Sequence, residues 1–363
     1  DFRCLDMTYA AITGWGKCLP PAILTNQDLM TFIDTDDEWI VSRTGMKERR
    51  VSHVSVTELA HMASLRALAT AGRTALDIDM IILGSTSFDQ ICPNGASGVQ
   101  QLLGATNAAC MDVSTACTGG MYGLSTATAM IQSGMIKSAL VIGAEVLSKF
   151  MDWENRNVAV LFGDGAAAFY LQASEEESGV VKQSLGCYGD ARGSLSIEGW
   201  GANWINKDIP FGQINWDFHG QEIFKKAVAG MGKACAQVVS EAGLEKSDID
   251  LIVPHQANLR IIEALAKRMG ADKEKVFVNI HRYGNMSAAT APVALVEAIE
   301  EGRVKDGDNV LMPAFGGGLT WSAHLIKWRG GNAPKSTSDA QLPACEKTAL
   351  EMVNEIREIK NKN

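Results

Sequence analysis

Short apolar runs that give way to helical segments set the rhythm of this chain. Met111-Asp112-Val113-Ser114-Thr115-Ala116 is a strand-like stretch that turns, at Cys117, into a helix-spaced run of small residues from Thr118 to Gly134. Asp250 to Val253 and Val276 to Ile280 are also strand-like. The first leads into Pro254-His255-Gln256-Ala257-Asn258, the second into Tyr283-Gly284-Asn285-Met286-Ser287-Ala288-Ala289, and a helical pattern follows each. Strands alternating with helices predict an α/β fold, and polar residues at the C-terminal ends of strands are where open α/β sheets carry their sites. Past Trp328 the pattern changes. Residues 332 to 343 form a Pro/Ser-rich linker, and Ala349, Met352, Val353, Ile356 and Ile359 then recur at helical spacing between Cys345 and Lys360. That stripe is expected to dock on the body or on a partner subunit.

The pattern repeats along the chain. Ala71-Gly72 and Asp77-Ile78-Asp79-Met80-Ile81-Ile82-Leu83 return as Ala242-Gly243 and Asp248-Ile249-Asp250-Leu251-Ile252-Val253-Pro254, each 171 positions on, while Gly134 and Lys137 match Gly302 and Lys305 at a spacing of 168. Carried back at 168, Cys117 falls on Asn285, and His255 closes the equivalent of the strand end at Leu83-Gly84. The duplication predicts two intimately packed halves, 7–180 and 181–330, with an extension at 331–363. If the halves pack about a pseudo-twofold axis, their strand ends converge on one site.

Composition adds limits. With 363 residues and 46% hydrophobic content the chain can bury a large core. It has no run of 18 apolar residues, so no membrane span is expected. Eight Cys without metal-type spacing, and no secretory segment, read as reduced thiols in a cytoplasmic protein. A net charge of -9 argues against general nucleic-acid binding. Lys225, Lys226 and Lys233 fall on one helical pattern and Arg260, Lys267 and Arg268 on another; by themselves they read as solvated helix faces.

The chemistry centres on Cys117. The following helix points unpaired N–H groups and the positive end of its dipole at the sulfur, which predicts a pKa below the ordinary thiol value of about 8.5 and favours thiolate. On its own Cys117 also reads as a buried structural thiol, His255 as a core or capping residue and Asn285 as a turn former. The duplication is what joins the three.

Six segments in order carry a resemblance: Asp37-Glu38-Trp39-Ile40-Val41-Ser42-Arg43-Thr44-Gly45, Ser114 to Cys117, Phe162-Gly163-Asp164-Gly165, Pro254 to Asn258, Tyr283 to Ala289, and Ala314-Phe315-Gly316-Gly317-Gly318. With these the chain resembles the thiolase superfamily, most closely the β-ketoacyl-acyl carrier protein synthase III enzymes, from about Thr8 to Trp328. Asp1 to Asp6 precede the start this implies. The resemblance implies a thiolase-like fold with a layered αβαβα core, and a decarboxylating condensation of an acyl-CoA with malonyl-acyl carrier protein that initiates fatty-acid synthesis. No metal or resident cofactor is expected.

The same resemblance implies the roles. Cys117 would take the acyl group, with the backbone N–H groups of Cys117 and Gly317 as the oxyanion hole. His255 and Asn285 would hold the enolate, and Phe315 would form an apolar wall. Trp39, Arg43 and Arg156 would receive the coenzyme, with Asn258 also in the substrate site. Lys225, Arg260, Lys267 and Arg268 would dock the carrier protein. Ser85 to Asn94 would cross into the partner of a homodimer, where Cys92 would floor the acyl tunnel and leave room for medium-length primers. Two other readings stand beside this one: an acyl-condensing enzyme of quinolone or polyketide type, and a thioester hydrolase with a Cys-His-Asn triad.

Overall fold

The computed structural model describes residues 8–202, 204–207 and 212–362, so the opening segment through Met7 lies outside the described residues. Nine strands form the main sheet: β1 (Tyr9–Cys18), β2 (Met80–Gly84), β3 (Ala109–Val113), β4 (Ser138–Glu145), β5 (Gly165–Ser174), β6 (Gly179–Cys187), β7 (Leu251–Ile252), β8 (Asn309–Gly316) and β9 (Thr320–Lys327). The helices of eight residues or more are α1 (Asp37–Thr44), α2 (Val56–Ala71), α3 (Gly95–Leu103), α4 (Gly119–Gln132), α5 (Gly220–Glu241), α6 (Leu259–Met269), α7 (Thr290–Glu300) and α8 (Ala349–Lys362).

Strand order runs β7-β8-β9-β6-β1-β5-β4-β2-β3 and is palindromic about the junction of β6 with β1, where Ala10 meets Gly179. On one side β2 lies parallel to β3 and β4, and β5 is antiparallel to both β4 and β1. On the other, β7 is parallel to β8, and β9 is antiparallel to β8 and β6. The counterpart of β3 is reduced to one parallel bridge between Ile252 and Val276.

Side-chain alternation builds the layers. In β4, a fully buried strand, Leu140, Ile142 and Ala144 face α2 and α3, whereas Ala139 and Val141 face α4 and α7. In β8, Val310, Met312 and Ala314 face that same central pair, while Leu311 and Phe315 face α5 and α6. Helices thus lie outside, between and outside again, the αβαβα order the resemblance implied. The central helix α4 is rich in Gly, Ala, Ser and Thr because space there is short: a Cβ at Gly120 would sit 2.6 Å from the Ala288 carbonyl oxygen. Among the described residues no helix is long and apolar enough to cross a membrane.

A fourth cluster caps one end of the body, around Leu24, Ile40, Met46, Trp153, Phe162 and Trp216. The tail completes it. Its linker lies along α2, with the N–H groups of Lys335 and Ser336 donating to the Thr70 and Ala69 carbonyls at 3.1 and 3.2 Å. The helix expected from Cys345 begins only at Ala349, because Thr348 and Glu351 form a capping box. Ala349, Met352 and Val353 are buried in the cap, each of the larger two contributing about 1.5–3 kcal/mol. The stripe is shorter than expected: Ile359 is 60% exposed, since the helix runs past the edge of the surface that it covers.

Candidate active site

The turn that carries Cys117 is strained and tightly held. Ala116 has φ +50°, in the left-handed region that β-carbon residues avoid, and opens the 3-10 turn Ala116–Thr118 that leads into α4. Thr118 Oγ1 donates to the Thr115 carbonyl at 2.7 Å and bonds to Thr320 Oγ1 at 2.8 Å, pinning the turn to β9. Cys117 is buried, and burial pushes its thiol up to about 11, with the neighbouring Ser287 and Asn285 side chains offsetting part of the rise and the Glu145 carboxylate adding to it. The expected low pKa is therefore corrected: the resting residue is a thiol. Desolvation outweighs the helix start.

The repeat equivalence of Cys117 and Asn285 is also corrected. Ser287 has φ +46° and opens the 3-10 turn Ser287–Ala289 ahead of α7, just as Ala116 does ahead of α4. Those two residues are 171 apart, and the counterpart of Cys117 is Ala288. The helices differ in length, 14 residues in α4 against 11 in α7, so a spacing measured beyond their C-terminal ends cannot be carried back across them. Asn285 instead precedes its turn.

Asn285 is placed by the Phe162–Gly165 segment: its N–H donates to the Leu161 carbonyl at 2.9 Å, and its carbonyl accepts from Gly163 at 3.0 Å. Asp164 fixes that segment, buried and accepting from the Ser148 hydroxyl and the N–H groups of Ser52 and Ser148. The Asn285 Oδ1 accepts from the Ser287 N–H at 2.8 Å, and the side chain lines the same cavity as the sulfur. His255 follows β7, its N–H donating to the Pro313 carbonyl at 2.8 Å. Next to it, Gln256 donates to the Phe277 carbonyl and accepts from the N–H groups of Asn279 and Ile280, tying this loop to the one that carries Asn285. Both ring nitrogens of His255 lack a partner among the described residues, and burial pushes its pKa down to about 3, so the ring is neutral.

Sequence reasoning passed over Glu145 and the role of Ser287. Glu145 ends β4, fully buried, and accepts from the N–H groups of Thr86, Ser87 and Ala288. It joins the Ser85–Ser87 turn to the Ser287–Ala289 turn. The available signal was a lone acidic residue closing an apolar run, at the strand end where sites collect.

One cavity of about 830 Å³ gathers most of the candidates. Cys117, His255, Asn285, Phe315 and Gly316 line its depth, and Trp39, Arg43, Asn258, Arg260 and Lys225 line it toward the surface. The guanidinium of Arg156 lies 4.5 Å and that of Arg43 5.0 Å from the centre of the Trp39 ring. Arg156, Gly317, Lys267, Arg268 and Cys92 are not among the lining residues, and Arg156 reaches the cavity only through its stack on Trp39. Gly317 adjoins Gly316, and Arg268 packs over Gly232 of α5. Cys92 lies exposed on the loop after β2.

The arrangement has clear likenesses. The description 3-oxoacyl-[acyl-carrier-protein] synthase III matches residues 111–189, and its C-terminal counterpart matches 239–328. A β-ketoacyl-[acyl-carrier-protein] synthase III 2 of Vibrio vulnificus strain YJ016 is 52% identical, over 97% of this chain and 98% of its own. The crystal structure of 3-oxoacyl-[acyl-carrier-protein] synthase III from Aquifex aeolicus VF5 superposes with a TM-score of 0.82 at 43% identity, covering 88% of this chain and 100% of its own. That of the priming β-ketosynthase from the R1128 polyketide biosynthetic pathway superposes at 0.85 with 30% identity, covering 92% and 99%. Fold and likeness together define a thiolase-like acyltransferase of the condensing kind. Within that class, the chain belongs to the β-ketoacyl-acyl carrier protein synthase III family.

Proposed function

We propose that this chain condenses an acyl-CoA primer with malonyl-acyl carrier protein, releasing carbon dioxide and starting fatty-acid synthesis. Cys117 Sγ attacks the acyl thioester, the backbone N–H groups of Cys117 and Gly317 hold the oxyanion, and the departing coenzyme A sulfur takes up the thiol's proton. In the second half, one N–H of neutral His255 and the Asn285 amide hold the thioester oxygen of the malonyl group. The carboxylate leaves as carbon dioxide beside Phe315, its bonding pair staying behind as the enolate; the enolate carbon attacks the acyl group on Cys117, the C–S bond breaks, and the released Cys117 thiolate takes up a proton from solvent. Side chains and backbone donors supply every step. Lys225 and Arg260 at the mouth, with Lys267 and Arg268 farther along α6, present positive charge to an acidic carrier protein.

The observation that carries this reading is one cavity holding a buried thiol, the Asn285 side chain and a neutral histidine with both ring nitrogens unpartnered among the described residues. A hydrolase triad would have Asn285 orient His255. Here the Asn285 oxygen is engaged by Ser287 and Thr290 instead. The test is mass spectrometry of Cys117 after incubation with mixed acyl-CoAs, together with carbon dioxide release from malonyl carrier protein. An acyl-enzyme that simply hydrolyses, with no condensed product, would overturn the reading. The R1128 superposition favours a second outcome, the same chemistry priming a polyketide-type chain, and the fate of the condensed product separates the two.

The thiol sets the pH dependence. With a pKa of about 11, roughly one molecule in ten thousand holds thiolate at pH 7, and each unit rise increases that share about tenfold. Acylation measured in single turnovers is expected to climb from pH 6 to 9, while carbon dioxide release stays flat down to pH 5 because His255 remains neutral far below it. An acylation rate already level at pH 7 would show a depressed pKa after all.

We place this chain in a homodimer. Ile91 is 77% exposed and Cys92 is exposed beside it, an apolar tip that a partner subunit would cover. Cys92 would then floor the partner's acyl tunnel and leave room for primers near eight carbons. The expected result is octanoyl-CoA used at least as well as acetyl-CoA, and a profile shortened in Cys92→Phe, read as kcat/KM from acetyl- to decanoyl-CoA. Strict acetyl preference in the native protein refutes the floor; a monomer by light scattering, fully active, refutes the dimer.

A further inference from the structure

The tail helix is fastened to two segments that lead to the Trp39 ring lining the cavity, although residues 331–363 lie beyond both family matches and no catalytic step uses them. The guanidinium of Arg357 stacks 4.4 Å from the centre of the Phe32 ring, and its Nε pairs with Glu154 Oε1 at 2.8 Å. Lys360 Nζ donates to the Met151 carbonyl at 2.7 Å. Phe32 in turn meets Trp153 edge-on at 6.2 Å. An exposed ion pair alone contributes little, so the hold rests on the stack together with buried Met352 and Val353 beneath it.

Both anchors are roots of the Trp39 stack. From Phe32 the chain passes Asp34 to Asp36, whose carboxylate caps α1 at the Trp39 N–H at 2.7 Å. Glu154 lies two residues before Arg156. Arg156 closes the ring of contacts, with Nη1 donating to the Asp34 carbonyl at 2.8 Å and its guanidinium over Trp39 at 4.5 Å. A flat base between ring and guanidinium needs a van der Waals separation of about 3.5 Å on each face, roughly 7 Å in all. The jaws must part to admit one.

We propose that α8 is a strap that holds the roots of both jaws in register, and that Arg357 is a positioning residue for the nucleotide end of acyl-CoA. With the roots held, the Arg156 side chain alone has to swing. Without the strap, two surface segments must be ordered on binding as well, a cost that appears in affinity and not in chemistry. The Vibrio vulnificus relative, matched over 97% of this chain, takes in most of the tail, whereas the Aquifex aeolicus structure is wholly covered by 88% of it. The strap is thus an addition to a fold that is complete without it.

This inference rests on the reading of the mouth as a coenzyme A site, and the experiment separates the two. Arg357→Ala and Glu154→Gln in the 363-residue chain are assayed with acetyl-CoA and octanoyl-CoA, and with the matching N-acetylcysteamine thioesters, which lack the nucleotide. Expected is a KM for acyl-CoA raised roughly 5- to 10-fold with kcat within about twofold, and no change for the short thioesters. Truncation after Lys347 should act in the same direction and further. If the native protein does not prefer acyl-CoA over the short thioester, the coenzyme reading falls and the strap with it. If it does, but the variants shift both substrates equally or neither, with only the melting temperature lowered, the strap alone falls.

Discussion

Cys117→Ala is expected to abolish acyl transfer, while His255→Ala leaves acylation of Cys117 intact and slows carbon dioxide release from malonyl carrier protein by roughly 100- to 1000-fold, the typical effect of removing one oxyanion donor. The asymmetry follows from geometry. Only one of the three groups is a nucleophile, and His255 has no bond to the sulfur, its ring nitrogens both being without a partner among the described residues. Asn285→Ala should block decarboxylation similarly and also slow acylation modestly, because its side chain beside the thiol offsets part of the rise that burial causes. Radiolabelled acyl groups retained on the protein, and labelled carbon dioxide released, read the two halves separately. A His255→Ala protein that no longer acylates would make His255 an obligatory base for the thiol and return the hydrolase-like pairing to consideration.

Gly316→Ala is expected to be nearly as damaging, although it removes no functional group. A Cβ there would lie 2.7 Å from the Cys117 backbone nitrogen and 3.1 Å from its Cα and Cβ, so the nucleophile turn has to move. That turn is already strained at Ala116 and pinned through Thr118 to Thr320, and it cannot yield in small steps. Displacing the Cys117 N–H takes one oxyanion donor out of place, a loss of at least about 100-fold in acylation, and the overpacking lowers stability by about 1–3 kcal/mol. A time course of Cys117 acylation and a thermal melt measure both. Native-rate acylation in this variant would show that the turn has room the geometry denies.

The candidate trio was legible because each member sits where an apolar run ends, and such boundaries are local: a strand end, a turn and a helix start are set by a few adjacent residues. The same locality explains what was misread. Matching strings at 171 and at 168 were both real, yet they lie on either side of helices of unequal length, so a count along the chain could not tell that Cys117 pairs with Ala288 and not with Asn285. The helix start just after Cys117 was also correctly seen, and its consequence was not, since a pKa depends on everything around the sulfur. Strand ends from distant parts of the chain close over it and exclude water, and Glu145 arrives from the far end of β4.

The amino-acid sequence by itself thus determined the alternation of strands and helices, the doubled pattern, and the positions of Cys117, His255 and Asn285 at the ends of their elements, because hydrophobic period and turn chemistry act over a few residues. The tertiary structure alone decided the protonation of those groups, the engagement of Asn285 with Ser287, the part of Glu145, and the fastening of the tail to Phe32 and Glu154. Each of these depends on desolvation or on contacts between residues dozens to hundreds of positions apart, and these come into being only when the layers close.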